Sequence, residues 1–415
     1  MTTFTRVAED DTPSINVDVT RRLSKIDPNI YGGFMEHMGR CIYGGIYDPV
    51  NPLSDSHGYR TDVLSALREL DIPVIRYPGG NFVATYHWLD GVGPKDKRPA
   101  RPELAWLGTE TNEFGTDEFM HWLGVLSEGR EKRVEPYFAL NFGTGTLDEA
   151  LAWVEYCNGT KNTYYANLRR KNGREEPYNI KYWALGNEMW GPWQVGQMTA
   201  EDYSKTAAQW AKALKLLDPS LCLILCGETG HSSWDHQVLQ ACIPYVDMHS
   251  IHIYTADKTH LPNVTAPLSA ERAIETAAAL IDIARIEKKI PPSVPRTTIC
   301  FDEWNVWDPE RAPGEQGAEE LYTLSDALGV AVWLNVFIRQ SKYVGDVVAV
   351  VAFLQAVNAE GKEEVGVKES KWDGQGKFKF PKHSMTLLRW DTGRKITEVA
   401  KGDGKRLDTR KLAWE

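Results

Sequence analysis

The chain has 415 residues and a formal net charge of −10, with 42% hydrophobic and 25% charged residues. That composition excludes a mainly disordered chain, a collagen-like repeat and a small disulfide scaffold. The acidic balance makes the chain a poor partner for nucleic acid, and its longest apolar run, Val347 to Leu354, is too short to span a bilayer.

The first residues, MTTFTRVAEDDTPS, lack an apolar stretch behind a basic start, so a cytoplasmic location and no membrane partner are the expectation. Ser14–Val19 reads as a strand of an N-terminal segment, residues 1–24. Apolar runs then follow at Asn29–His37, Ile72–Gly79, Glu135–Phe142, Ile180–Asn187, Leu221–Gly227, Asp247–Tyr254 and Thr298–Glu303. They are continuously apolar rather than alternating, the pattern of parallel strands covered on both faces. Helical stretches lie between them: Thr61–Leu70, Thr116–Glu128, Thr146–Cys157, Thr199–Leu217, Ala270–Lys288 and Gly317–Arg339. Thr146-Leu-Asp-Glu reads as a capping box. Tyr203, Ala207, Trp210, Leu214 and Leu217 share one helical face.

Seven strand-then-helix units indicate an α/β architecture, and the lack of a Gly-rich dinucleotide turn favours a closed (β/α)8 barrel (TIM barrel) over a doubly wound sheet. Val347–Leu354 is the candidate eighth strand, in an atypical last unit. Units run longer than a bare barrel needs, so long loops are inserted. The expected catalytic barrel covers residues 25–358, and residues 359–415 form a Lys/Gly-rich tail, partly disordered or remnant β-structure. The six cysteines read as buried free thiols. Cys222 and Cys226 have no second pair placed to complete a zinc site, so no metal is expected.

In a parallel barrel all strands end on one face, where active sites are built. The polar residues at those ends are Glu36, Arg76 and Asn81, Asn187 and Glu188, His252 and Tyr254, and Glu303. Singly, each has a plain structural reading: a solvated loop carboxylate, a core histidine, an arginine paired inside an apolar run. Together they bring three carboxylates, a cation and several neutral hydrogen-bonding groups to one mouth. Trp88, Trp106, Trp190, Trp193, Trp304 and Trp307 fall in or beside the same loops, where indole faces would suit sugar rings, whereas Trp153 and Trp210 read as core. Two carboxylates with sugar-suited walls and no phosphate cradle point to glycoside hydrolysis.

The segments FMEHMGRCIYGGIYDP (34–49), VIRYPGGNF (74–82), LAWLGTETNEFG (104–115), WALGNEMWGPWQ (183–194), HSIHIYT (249–255) and FDEWNVW (301–307) resemble the α-L-arabinofuranosidases of glycoside hydrolase family 51. The resemblance runs from about residue 15 to about residue 345. It implies a retaining, exo-acting α-L-arabinofuranosidase without a cofactor, acting on terminal arabinofuranosyl units of arabinan- or arabinoxylan-type oligosaccharides. It implies Glu188 as general acid/base, Glu303 as nucleophile, and Asn187 on the sugar 2-hydroxyl. Glu36, Arg76, Asn81, His252 and Tyr254 match residues that hold the sugar or orient the pair, and Trp106 and Trp307 match pocket walls. Glu188 must carry its proton, which Trp190 and the Glu303 charge would favour; Arg76 should keep Glu303 ionised. After Tyr343-Val344-Gly345 the sequence departs from the family, whose accompanying β-sandwich domain is expected to be incomplete or missing here. No role is carried to Gln355. The family often forms oligomers, and a homo-oligomer is compatible with the sequence. The competing readings are a related glycosidase of endo-glucanase or xylanase type, and a carbohydrate-binding homologue impaired by the altered C-terminus.

Overall fold

A computed structural model describes residues 23–308, 322–344 and, for the backbone alone, 349–350. Eight parallel strands run in one sheet: β1 (Gly32–Phe34), β2 (Val74–Tyr77), β3 (Glu135–Ala139), β4 (Tyr182–Leu185), β5 (Cys222–Leu225), β6 (Met248–Thr255), β7 (Thr298–Val306) and β8 (Ala349–Val350). Each strand from β1 to β6 pairs with the next, and β8 returns to pair Ala349 with Gly32. On the other side, Val344 bridges Ile299. The result is a nearly closed barrel, as the strand and helix alternation predicts.

Alternation along the strands explains why they read as unbroken apolar runs. Val74, Tyr137, Ala139, Tyr182, Ala184, Cys222, Ile224, Met248 and Cys300 belong to one buried cluster inside the barrel. Their neighbours Ile75, Phe138, Trp183, Leu223, Leu225, Ile299 and Phe301 belong to the larger cluster outside it, shared with the helices. Both faces are therefore dry.

The helices bear out most of the reading, with informative differences. Thr61–Leu70 is as expected; Thr116–Leu126, Leu147–Asn158, Ala200–Leu217 and Ser269–Glu287 shift by a residue or two. Leu324–Arg339 starts after a Thr323/Asp326 capping box, later than Gly317, and residues 309–321 are outside the description. The Thr146 hydroxyl does accept from Glu149 N, but the Glu149 carboxylate turns to His87 Nδ1 (3.0 Å) instead of closing the box. Leu217 is 44% exposed and leaves the face that buries Tyr203, Ala207, Trp210 and Leu214. The helices Tyr164–Lys171 and Ser233–Cys242 were not foreseen; the second is announced by a Ser232/Asp235 capping box. The first strand is shorter than Asn29–His37, because Pro28–Tyr31 forms a 3-10 turn. The extra length per unit goes into loops, above all residues 78–115, which hold three 3-10 turns and the small hairpin Arg101–Pro102/Thr109–Glu110. The expected strand Ser14–Val19, the tail 359–415, Gln355 and all of Val347–Leu354 except Ala349–Val350 lie outside the described residues. The cysteines at 41, 157, 222, 226, 242 and 300 are free, and all but Cys41 are buried. No described helix is long and apolar enough to cross a membrane.

Candidate active site

The site is built on the last residues of β2, β4, β6 and β7 and the loops that follow. Arg76 reaches the barrel interior at the top of β2 and is 1% exposed. Its guanidinium lies 4.8 Å from the Phe34 ring centroid and forks between two partners. Nη1 donates to Glu303 Oε1 at 2.6 Å and Nη2 donates to Asn187 Oδ1 at 2.7 Å. Burial opposes its charge, but Glu303 and Asp302 more than restore it. Asn187 Nδ2 donates on to Asn81 Oδ1 at 3.3 Å, so its amide is fixed at both ends.

Glu303 is where it is because of a register shift. Between Ser250 and His252 on β6 there are two steps; between their partners Cys300 and Glu303 on β7 there are three. The extra residue is a β-bulge. Strict alternation from the inward Cys300 would admit Asp302 and turn Glu303 outward. With the bulge, both carboxylates serve the mouth, and Trp304 goes into the core against Trp333 and Phe337. Glu303 Oε2 accepts from Tyr254 OH at 3.0 Å. The Glu303 pKa is raised on balance, above all by burial; His252 and Arg76 pull it down, and Glu188 and Asp302 push it up. Arg76 is thus one of two cations holding this charge, with His252 the other.

Glu188 follows β4 in the left-handed region (φ 44°), after Gly186 at φ 87°. A non-glycine residue there is strained, as is common at functional sites. Its Oε2 accepts from Trp193 Nε1 at 2.9 Å. Trp190, expected beside it, instead donates to Gly227 O at 2.9 Å and braces Trp193 edge-on at 5.2 Å. His252 lies between the two glutamates: Nδ1 is 3.1 Å from Glu188 Oε1 and 3.5 Å from Glu303 Oε2. Carboxylate oxygens of Glu188 and Glu303 and a ring nitrogen of His252 all fall within 4.8 Å of one another. Burial disfavours an imidazolium, yet Glu303 and Asp302 push the His252 pKa up to about 10. The positive charge among these carboxylates is therefore supplied by His252 and Arg76.

Glu36, after β1, closes the opposite wall. Its Oε1 accepts from Phe82 N and from Trp106 Nε1, both at 3.0 Å. Burial above all, and the nearby Glu303 charge, push its pKa up to about 7. Gly79 and Gly80 make the approach: a Cβ on Gly79 (φ 140°) would stand 2.3 Å from Glu36 Cγ, and one on Gly80 would stand 3.1 Å from both Glu303 Oε1 and Glu36 Oε2. Trp307 meets Tyr254 edge-on at 5.5 Å. All ten residues singled out in the sequence (Glu36, Arg76, Asn81, Trp106, Asn187, Glu188, His252, Tyr254, Glu303 and Trp307) thus join one mouth. Trp88 and Trp304 do not: each is about 1% exposed or less, Trp88 stacked on Trp153, because both ring systems face helices. The structure adds Trp193 as a partner of Glu188 and Asp302 beneath His252. An acidic pair ending an apolar run was the available signal for Asp302.

Comparison with known proteins agrees with this geometry. The α-L-arabinofuranosidase 1 domain matches residues 66–267, and the α-L-arabinofuranosidase C-terminal domain matches residues 302–359. A probable α-L-arabinofuranosidase C of Aspergillus fumigatus is 57% identical over 508 aligned positions, covering 94% of this chain and 99% of the relative. The chain belongs to the family 51 α-L-arabinofuranosidases. An intracellular exo-α-(1→5)-L-arabinofuranosidase 1 of Bacillus subtilis is 40% identical, covering 82% of this chain and 69% of its own. The structure of a family 51 α-L-arabinofuranosidase from Thermotoga petrophila is 43% identical with a TM-score of 0.72, over 80% of this chain and 66% of that one. The chain thus spans about two thirds of that solved arabinofuranosidase. Contrary to the expectation that the resemblance ends near Gly345, the C-terminal domain match continues to residue 359. The fungal alignment has 508 positions against 415 residues, so that relative carries stretches with no counterpart here.

Proposed function

We propose that this family 51 arabinofuranosidase releases terminal arabinofuranosyl residues from arabinan- or arabinoxylan-type oligosaccharides by a retaining double displacement, with Glu303 as nucleophile and Glu188 as general acid/base. The observation that carries the reading is the close approach of the two glutamates, with carboxylate oxygens within 4.8 Å. Retaining glycosidases hold their carboxyl groups roughly 5–5.5 Å apart, whereas inverting enzymes leave room for a water between them. Glu303 has two fixed donors, Arg76 and Tyr254, suited to an anion that must attack. In the first step a Glu303 oxygen bonds to the anomeric carbon, the bond from that carbon to the leaving oxygen breaks, and Glu188 gives its proton to the leaving oxygen. In the second, Glu188 takes a proton from water, the water oxygen bonds to the anomeric carbon, and the Glu303 ester breaks. Asn187, fixed between Arg76 and Asn81, offers the ring a hydrogen-bonding group next to the acid. The name of the B. subtilis relative supports exo action and an intracellular location. The related endo-glycosidase and the impaired binding protein are not favoured: the relatives are named arabinofuranosidases, and among the described residues both glutamates meet at one mouth.

The test is the anomer first formed from an aryl α-L-arabinofuranoside, read by NMR before mutarotation. Retention is expected, with hydrolysis abolished in Glu303→Ala. Inversion, or wild-type turnover by that variant, would remove the assignment.

A further inference from the structure

Asp302 has no part in the reaction just described, yet it is 1% exposed and surrounded by polar groups. Its Oδ1 accepts from Ser250 Oγ and its Oδ2 from Tyr137 OH. His252 Nε2 is 3.2 Å from Oδ1 and Arg76 Nε is 3.6 Å from Oδ2. Arg76 Nε is beyond hydrogen-bond reach, so Asp302 acts on it as a charge, and on His252 it acts by charge and close contact. These contacts hold its own carboxyl far below the usual range despite burial.

We propose that Asp302 is a positioning residue for this reaction: brought to the mouth by the β7 bulge, it holds His252 as an imidazolium between Glu188 and Glu303. The inference rests on the roles assigned above. Before the first step the charged groups are Arg76 and His252, positive, and Asp302 and Glu303, negative, with Glu188 protonated. After it, Glu303 is an ester and Glu188 carries the negative charge. One charge has moved between two carboxylates that both border His252 Nδ1, and while Glu36, whose pKa is pushed up to about 7, keeps its proton the buried network is neutral at either end. Without Asp302 two cations, Arg76 and His252, would face a single carboxylate charge at either end of the step. The other titratable groups facing this pair are Tyr137 on β3, Cys226 after β5 and Cys300 on β7, whose pKa values burial raises, so that they stay neutral, together with Tyr254.

The test combines two readouts. In the wild-type protein without substrate, the imidazole of His252, assigned by its loss in His252→Gln, is read by NMR across pH. Protonation of both nitrogens at pH 8 is expected, and a neutral ring at pH 7 overturns the inference without touching the roles of Glu188 and Glu303. Asp302→Asn is then compared with Tyr137→Phe in kcat/KM against pH on an aryl arabinofuranoside. Asp302→Asn should lower kcat/KM about a hundredfold and move the alkaline limb to lower pH by at least about one unit, because His252 loses its proton earlier. Tyr137→Phe removes a donor but no charge and should leave the limb within about 0.3 unit. An unmoved limb in Asp302→Asn overturns the inference, as does an equal shift in both variants. If Asp302→Asn does not fold, the wild-type imidazole signal decides alone.

Discussion

Glu36→Gln isolates the consequence of burying a carboxyl between two glycines and an indole. Glu36 has its pKa raised from 4.5 to about 7, chiefly by burial. A raised carboxyl contributes stability that is fully present below the unfolded value and is lost as pH climbs through the folded one, because the unfolded chain ionises first. Between pH 4.5 and 7 the parent therefore loses about 3 kcal/mol, from roughly 2.5 units at 1.36 kcal/mol each. Glutamine keeps an oxygen for Phe82 N–H and Trp106 Nε1–H, and puts an amide where Oε2 stands near Glu303, without a titration. The variant minus parent difference should grow by those ~3 kcal/mol between pH 4.5 and pH 8. With unfolding entropy of roughly 2 cal/mol/K per residue, that is a rise of about 3–4 °C in relative Tm. Scanning calorimetry of both proteins at pH 5, 6, 7 and 8 measures it, and the titrations of groups remote from Glu36 cancel in the difference. Parallel Tm curves across that range would refute the reasoning.

Trp193→Phe removes the indole N–H from Glu188 while keeping an aromatic ring, at a cost of about 1.5–3 kcal/mol for a bond to a charged group. Turnover of an arabino-oligosaccharide, whose leaving group needs the proton, should fall roughly 10- to 100-fold, and that of a nitrophenyl arabinofuranoside only a few-fold; equal losses on both would separate Trp193 from acid catalysis. Gly79→Ala sets a methyl 2.3 Å from Glu36 Cγ at φ 140°. It should lower the unfolding free energy by at least about 2 kcal/mol in urea titration, and a wild-type midpoint would contradict the close approach.

What was legible in the sequence follows from what periodicity can encode. Strand ends set between continuous apolar runs located Glu36, Arg76, Glu188, His252 and Glu303, because a parallel barrel brings every such end to one face. The bulge was not legible: FDEW carries no mark of an extra residue, and plain alternation would have spent the inward position on Asp302 alone. The loop WGPW held two candidate indoles, and only the turn after Glu188 selects Trp193 over Trp190. Trp88 and Trp304 show the converse error. Loop position in sequence says nothing of which way a ring faces, and both fill space between strands and helices. The helix at Ser233 was missed although its Ser-x-x-Asp start was present.

The odd residue count on the seventh strand makes catalysis sensitive to length where the fold is tolerant. Shortening Cys300–Glu303 by one position would restore an even ladder and leave a sheet as well bonded as before. If the residue lost is Phe301, the same edit leaves Glu303 opposite His252 and Trp304 toward the helices, and turns Asp302 to the outer face. Loss of the Phe301 codon would thus keep both glutamates at the opening and withdraw only the buried aspartate, at the cost of a ring packed on Trp333 and Phe337.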